Sequence, residues 1–198
     1  MKQGYIFRQL VRQRDGAAAV EFALIAPMLI MVLMGMFDLG FNVYINATLQ
    51  GAVQQAARKS TVESALGSNA LIDRAVEKQI KRLVPSAEVK PARKAYSNFS
   101  SVGLPEDFTD VNANGTCNAG EPFEDANGNG IWDQDRGADG MGGARDAVLY
   151  TVTVEYKRLF PMATLIGLPP KVTTVAKTVL RNQPYDSQKS LAKPGTCI

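Results

Sequence analysis

Residues 17–41 read AAAVEFALIAPMLIMVLMGMFDLGF, and this stretch decides the architecture. Its only charges are Glu21 and Asp38, and the 16 residues between them carry none. At about 1.5 Å rise per residue, the segment spans roughly 37 Å as a helix. A hydrocarbon core of about 30 Å is thereby crossed. The alternative is a buried core helix, but the apolar character runs all round and basic residues crowd only one end, as in a membrane span. Lys2, Arg8, Arg12 and Arg14 crowd one end against a single acid, Asp15, so residues 1–16 hold the whole net charge of +3. That asymmetry predicts a cytoplasmic N-terminus and an exported remainder. The stretch Asp38-Leu39-Gly40-Phe41-Asn42-Val43-Tyr44 is a poor site for secretory cleavage, so the apolar segment is expected to stay as an anchor.

Composition narrows the chemistry. The chain has 198 residues, 22 Lys/Arg, 19 Asp/Glu, no His and two Cys. Hydrophobic residues make up 45% and charged residues 21%, the balance of a folded protein. Without His there is no imidazole base, His-ligated zinc or Ser-His-Asp triad, and two Cys cannot make a four-Cys site. Outside the leader the charge sums to zero, so the basic pI is no argument for nucleic-acid binding. Neither a nucleic-acid partner nor a small-molecule substrate is expected.

Glu21 is unusual. A carboxylate in a membrane helix costs about 2.5–3.5 kcal/mol on insertion scales, so a partner is expected. Upstream lie Arg14-Asp15-Gly16 and then Ala17-Ala18-Ala19-Val20-Glu21-Phe22. A basic stretch, a Gly, small residues, then Glu-Phe and an apolar helix together resemble a prepilin-type signal. The resemblance implies that a membrane aspartyl peptidase, the prepilin peptidase, cuts between Gly16 and Ala17. The new ammonium at Ala17 could then pair with Glu21 of its own or a neighbouring subunit, an assembly role for that acid.

The longer string from Arg14 to Ser60 resembles the TadE-like proteins, minor pseudopilins of the tight-adherence (Flp, type IVb) pilus system. The features that carry it are Arg14-Asp15-Gly16, Ala19-Val20-Glu21-Phe22-Ala23-Leu24, Pro27, Phe37-Asp38-Leu39-Gly40 and the Ala/Gln-rich run to Arg58. A weaker echo lies at Val179–Tyr185. Asn42 departs from the pattern, standing where relatives often carry a cation. The resemblance implies a single-pass protein of the bacterial inner membrane with a periplasmic head. Its expected partners are the membrane, the peptidase, other pilins or pseudopilins and the pilus assembly platform, with possible entry into the extracellular pilus.

The expected fold is α+β. A long N-terminal transmembrane, pilin-type helix and a second helix pack on a small antiparallel sheet, with an Asp/Asn/Gly-rich calcium-loop insert. Residues 1–16 form the leader, 17–41 the membrane helix and 42–60 its periplasmic extension, where Ile45, Leu49, Ala52/Val53 and Ala56 recur at helical spacing. Residues 61–103 hold a weak turn at 61–67, a second helix over 69–84 stopped by Pro85, and a poorer strand at 87–96 whose Pro91 favours an edge. Residues 104–146 are the acidic insert and 147–182 a β-hairpin, with alternating Val148, Tyr150, Val152, Val154 and Tyr156 in its first strand. The connection at 159–170, LFPMATLIGLPP, is apolar for a loop and is expected to pack against the helix. The tail, 183–198, reads as loose apart from Cys197.

The insert carries ten acids and two bases. In it a pattern repeats with an offset of 15 residues: Asp110-x-Asn112-x-Asn114-Gly115, then Asp125-x-Asn127-x-Asn129-Gly130. Calcium takes several hard oxygen ligands from short side chains around a sharp Gly turn. The first oxygen set is Asp110, Asn112, Asn114, the Thr116 carbonyl, Asn118 and Glu121, with Glu121 at loop position twelve. The second is Asp125, Asn127, Asn129, the Ile131 carbonyl and Asp133, with Asp135 nearby, but Arg136 occupies position twelve. A structural Ca2+ is therefore expected, with extracellular affinities near 10⁻⁴–10⁻³ M. The alternative is a loop held by Asx-turns alone.

Cys117 and Cys197 both fall outside the cytoplasm in this topology, where disulfides persist. Joined to each other they would close a loop of about 80 residues, worth roughly 4–5 kcal/mol in the chain-entropy account. Free thiols or pairing between subunits remain open at this point. Three functional classes follow. The first is a minor pilin or pseudopilin in pilus assembly. The second is a calcium-dependent adhesin or binding module at a pilus tip. The third, a membrane-tethered hydrolase using Asp133, Asp135 and Asp139, has no nucleophile–base arrangement, so no catalytic residue is assigned.

Overall fold

The computed structural model describes residues 16–60, 69–118, 120–160, 167–183, 188 and 192–198. The leader before Gly16, the turn at 61–67 and residues 161–166 of the apolar connection lie outside them. Helix α1 runs Ala17–Ser60 through Pro27, and α2 runs Asn69–Leu83. The strands are β1 (Glu88–Tyr96), β2 (Pro122–Asp125), β3 (Ala138–Asp139), β4 (Ala147–Lys157), β5 (Lys171–Arg181) and β6 (Lys193–Thr196). The chain divides into two compact units: residues up to 43 with 158–170, and residues 44–157 with 171–198.

In the first unit α1 exposes apolar residues on every side, from Val20, Phe22 and Leu24 to Met36, Phe37 and Leu39. The helix is long and apolar enough to cross a membrane, and no residue of its most apolar 18-residue window is buried. Asp38 is the exception to this exposure, at 7% of its surface. Arg158 donates to its Oδ2 from its Nη1, and Asn42 approaches the same oxygen at 3.5 Å. Arg158 is itself fixed by Pro169 and Pro170, whose carbonyls accept from its Nε and its backbone N–H at 3.0 Å each. Arg158, just before the 159–170 connection, is thus tied to α1 by an ion pair, while most of the apolar run expected to pack on the helix lies outside the described residues. Leu159 and Leu168 stay exposed.

In the second unit the four-stranded antiparallel sheet has the order β3-β1-β4-β5. Alternation in β4 buries Val148, Tyr150, Val152, Val154 and Tyr156. These residues share the core with Ala176 and Leu180 of β5 and Ile72, Val76 and Ile80 of α2. The stripe Ile45, Leu49, Ala52, Val53 and Ala56 completes it. Helix α2 ends because Pro85 follows, with Val84 still donating to the Ile80 carbonyl at 3.0 Å. Pro91 pairs with Val152 across β1 and β4, while β3 covers only Lys94 and Ala95 on the other side. The edge expected from Pro91 thus exists over the first part of β1, where its missing N–H breaks no ladder bond.

A second sheet was not legible in the sequence: β2 pairs antiparallel with β6, drawn from the tail that read as loose. Gly195 faces Phe123, and a Cβ there would meet the ring at 2.4 Å, so only Gly lets the strands close.

A polar clasp ties α2 to the sheet. Asp73 accepts from Arg93 Nη1 at 2.7 Å and Nη2 at 2.5 Å, and from the Tyr150 hydroxyl at 2.7 Å. The Arg93 guanidinium also lies 4.3 Å from the Tyr150 ring centroid. Burial, then the bond to Asp73, pushes the Tyr150 pKa well above the usual tyrosine range. Removing one member of such a pair strands the other charge. Asp73→Ala should therefore lower stability by about 3 kcal/mol, and Tyr150→Phe by about 1 kcal/mol, in denaturant unfolding of the detergent-solubilised protein.

Candidate functional site

The acidic insert folds as two loops built to one plan. In each, the leading Asp gathers the amides of the turn that follows. Asp110 accepts from Asn114 N at 3.1 Å and Gly115 N at 2.8 Å. Asp125 accepts from Asn129 N at 3.0 Å and Gly130 N at 2.9 Å, and also from Gly128 N at 2.7 Å. The next two Asn oxygens each accept from the amide two residues on. Asn112 holds Asn114 at 3.1 Å and Asn114 holds Thr116 at 2.8 Å; Asn127 holds Asn129 at 3.0 Å and Asn129 holds Ile131 at 2.8 Å. Position nine closes each loop: Asn112 donates to Asn118 at 3.0 Å, and Asn127 donates to Asp133 at 2.9 Å.

The twelfth position shows where reading by spacing alone fails. In the first loop Glu121, only 3% exposed, accepts from Val111 N at 2.9 Å and Asn118 N at 3.1 Å, the amides of positions two and nine. In the second loop Arg136 turns away to Asp107 and Glu124, at 3.0 and 3.3 Å. Glu106 replaces it. Buried to 1% exposure, Glu106 accepts from Ala126 N at 2.8 Å and Asp133 N at 3.0 Å, again positions two and nine. It arrives from upstream of both loops and is fixed by backbone: its N–H donates to the Asp133 carbonyl at 3.0 Å, and Trp132 Nε1 donates to its carbonyl at 2.9 Å. Phe108 packs edge-on to Trp132 at 5.6 Å. No spacing rule leads from Asp125 back to Glu106; its acidic side chain within the insert was the only signal.

Among the described residues no three Asp, Glu or Cys side chains gather at one point. What each loop offers is a mixed set of carboxylate and amide oxygens. A carboxylate has about four acceptor sites, and Asp110 spends two of them on the backbone. The acceptors left over suit a hard cation. Asp135 belongs to neither loop. It accepts from Lys94 Nζ and from the Tyr96 hydroxyl, each at 2.8 Å. Burial pushes its pKa up, but the bonds from Lys94, Tyr96 and the Gly137 amide outweigh burial and hold it below the usual carboxylate range.

Cys117 and Cys197 form a disulfide with their Cα atoms 5.5 Å apart. Around it Cys197 N donates to the Glu121 carbonyl at 2.8 Å and Gly120 N to the Cys197 carbonyl at 3.1 Å, so the bridge and β6 enclose the first loop together. Of the residues expected at the cleavage and assembly positions, Gly16 immediately precedes α1, Ala17 is its first residue, and Glu21 lies exposed among apolar neighbours.

Helix and head together describe a class: a chain with one helix able to cross a membrane and a small disulfide-closed α+β head. A family model described as TadE-like protein matches residues 16–58, so the resemblance carried by Gly16, Glu21, Pro27 and Asp38 holds over that segment. Neither a curated protein nor a solved structure matches the chain.

Cys117→Ser or Cys197→Ser should cost about 2–5 kcal/mol and free β6. Hydrogen exchange should show lost protection at residues 193–197 and 118–123 while β4 stays protected.

Proposed function

We propose that this chain is a membrane-anchored minor pilin or pseudopilin of the tight-adherence (Flp, type IVb) pilus, with a periplasmic head that binds structural calcium. The observation that carries the pilus reading is the coincidence of the TadE-like match with the apolar half of α1. A carboxylate lies within that same segment, five residues after Gly16. In this reading the prepilin peptidase removes the leader at Gly16, and the freed Ala17 ammonium meets Glu21 during packing with other pilins. The basic leader stays cytoplasmic and the head is exported across the inner membrane.

Calcium is supported by the shared plan of the two loops and by the independent recruitment of Glu106 to the role Glu121 fills. Asp110, Asn112, Asn114, Asn118 and Glu121 would hold one ion, with Asp125, Asn127, Asn129, Asp133 and Glu106 at the other. Its charge would offset that of the insert and fix loops that lack regular secondary structure.

Intact mass and N-terminal sequencing of membrane-extracted protein should show a chain starting at Ala17 in cells with the peptidase and at Met1 in cells without it. Any other start rejects processing at Gly16. Glu21→Ala should insert and be cleaved yet assemble poorly; normal piliation in that variant removes the pairing role. Titration calorimetry with calcium should show binding at or below millimolar concentration. Glu106→Gln should then weaken one site as Glu121→Gln weakens the other, whereas no heat in the wild type rejects calcium.

A further inference from the structure

The insert contains three Asn-Gly junctions: Asn114-Gly115, Asn127-Gly128 and Asn129-Gly130. Such junctions are chemically fragile. Gly has no side chain to hinder its amide nitrogen, which can attack the Cγ of the preceding Asn. The new N–Cγ bond closes a succinimide, the Cγ–Nδ2 bond breaks, and Nδ2 leaves as ammonia with the proton from the Gly amide. Water then opens the ring at either carbonyl, giving aspartate or isoaspartate. Asn114, Gly115, Asn129 and Gly130 are all exposed, so solvent has access.

The structure ties down the attacking atom at every junction. Gly115 N donates to Asp110 Oδ2 at 2.8 Å, Gly128 N to Asp125 Oδ1 at 2.7 Å, and Gly130 N to Asp125 Oδ2 at 2.9 Å. The electrophile is held as well. The side-chain oxygens of Asn114, Asn127 and Asn129 each accept a backbone N–H two residues ahead, at 2.8, 3.0 and 2.8 Å. Attack requires the Gly amide to give up its proton, and a proton shared with a carboxylate is harder to remove, because its loss would leave two negative charges in contact. Attack also requires the Asn side chain to turn, which breaks its own bond.

We propose that Asp110 and Asp125 hold these three junctions as suppressed deamidation sites, so that loss of either local network opens the insert to irreversible modification. The consequence is largest in the second loop. Asn127 and Asn129 each donate to Asp133 Oδ2, at 2.9 and 2.6 Å. Conversion of either to a carboxylate replaces a donor with a like charge against Asp133, and the loop cannot close as before. The suppression needs no bound ion and stands apart from the calcium reading.

The test follows each junction by peptide mapping with isoaspartate detection. The full-length, detergent-solubilised protein is held at mildly alkaline pH with a calcium chelator in every arm. In the folded wild type all three junctions should convert at least about tenfold more slowly than in the same protein in denaturant, as expected for loss of a charge-assisted bond. Asp110→Ala should accelerate Asn114 about tenfold and leave Asn127 and Asn129 slow; Asp125→Ala should do the reverse. Equal rates in folded and denatured wild type overturn the proposal. So does either variant that leaves its own junction slow, or that speeds all three together, since the latter reports general unfolding rather than a local hold.

Discussion

One helix has to satisfy two environments. Along its first half α1 presents Val20, Phe22, Leu24, Met28, Met36 and Leu39 outward, with nothing among the described residues to cover them. In its second half the buried residues are Ile45, Leu49, Ala52, Val53, Ala56 and Ala57, and most of the exposed ones between them are polar, among them Asn46, Gln50, Gln54 and Gln55. Water would leave the first pattern costly, at roughly 25 cal/mol for each Å² of apolar surface exposed. Hydrocarbon would not accept the second. The change comes near Asp38, and there the structure spends an ion pair: a carboxylate on an otherwise apolar surface is met by Arg158 from the connection between β4 and β5. A buried charge is tolerable when paired, so the Phe-Asp-Leu-Gly segment of α1 depends on a residue far away in sequence. Arg158 brings the cation to Asp38 from 120 residues further along the chain.

Elements governed by periodicity were legible. Strand β4 follows from alternation, and α2 from its apolar spacing and the stop at Pro85. The stripe on α1 follows from the recurrence of Ile45, Leu49 and Ala56. In each case one residue type repeats at the period of the structure, and burial follows the repeat. Pro91 shows the limit of such reading. It marks an edge correctly, but β3 is only two residues long, so one strand is edge over part of its length and interior over the rest. Sequence spacing carries no information about a partner that short.

The insert was legible as chemistry more than as geometry. The repeat of Asp-x-Asn-x-Asn-Gly identified the loops because each residue acts on amides within five positions of itself, and local hydrogen bonds leave a local signature. Glu106 left none. Its partners Ala126 and Asp133 are fixed by a fold in which the chain returns alongside its own earlier segment, and Trp132 is part of that return. Strand β6 escaped for a similar reason. The tail offers no alternating apolar pattern, yet Gly195 lets the strand lie over Phe123, and the Cys117–Cys197 bridge holds residue 197 beside the first loop.

These observations explain why so many acids can be concentrated in one segment whose only regular elements are the short strands β2 and β3. A loop cannot satisfy its amides through a helix or a ladder, and buried amides left unpaired are costly. Glu106, Glu121, Asp110 and Asp125 take over that task, each accepting at least two backbone N–H groups. Asp135 adds a related bond to Lys94 and Tyr96, and its pKa is held below the ordinary value. A depressed carboxylate contributes stability that is present above its unfolded pKa and is lost as pH falls through its folded pKa. Because Asp135 is more than one-third exposed, solvent screening keeps that contribution small. The larger consequence is structural: the carboxylates that concentrate charge in the insert are the groups that hold its turns, so that charge cannot be removed by substitution without losing the scaffold.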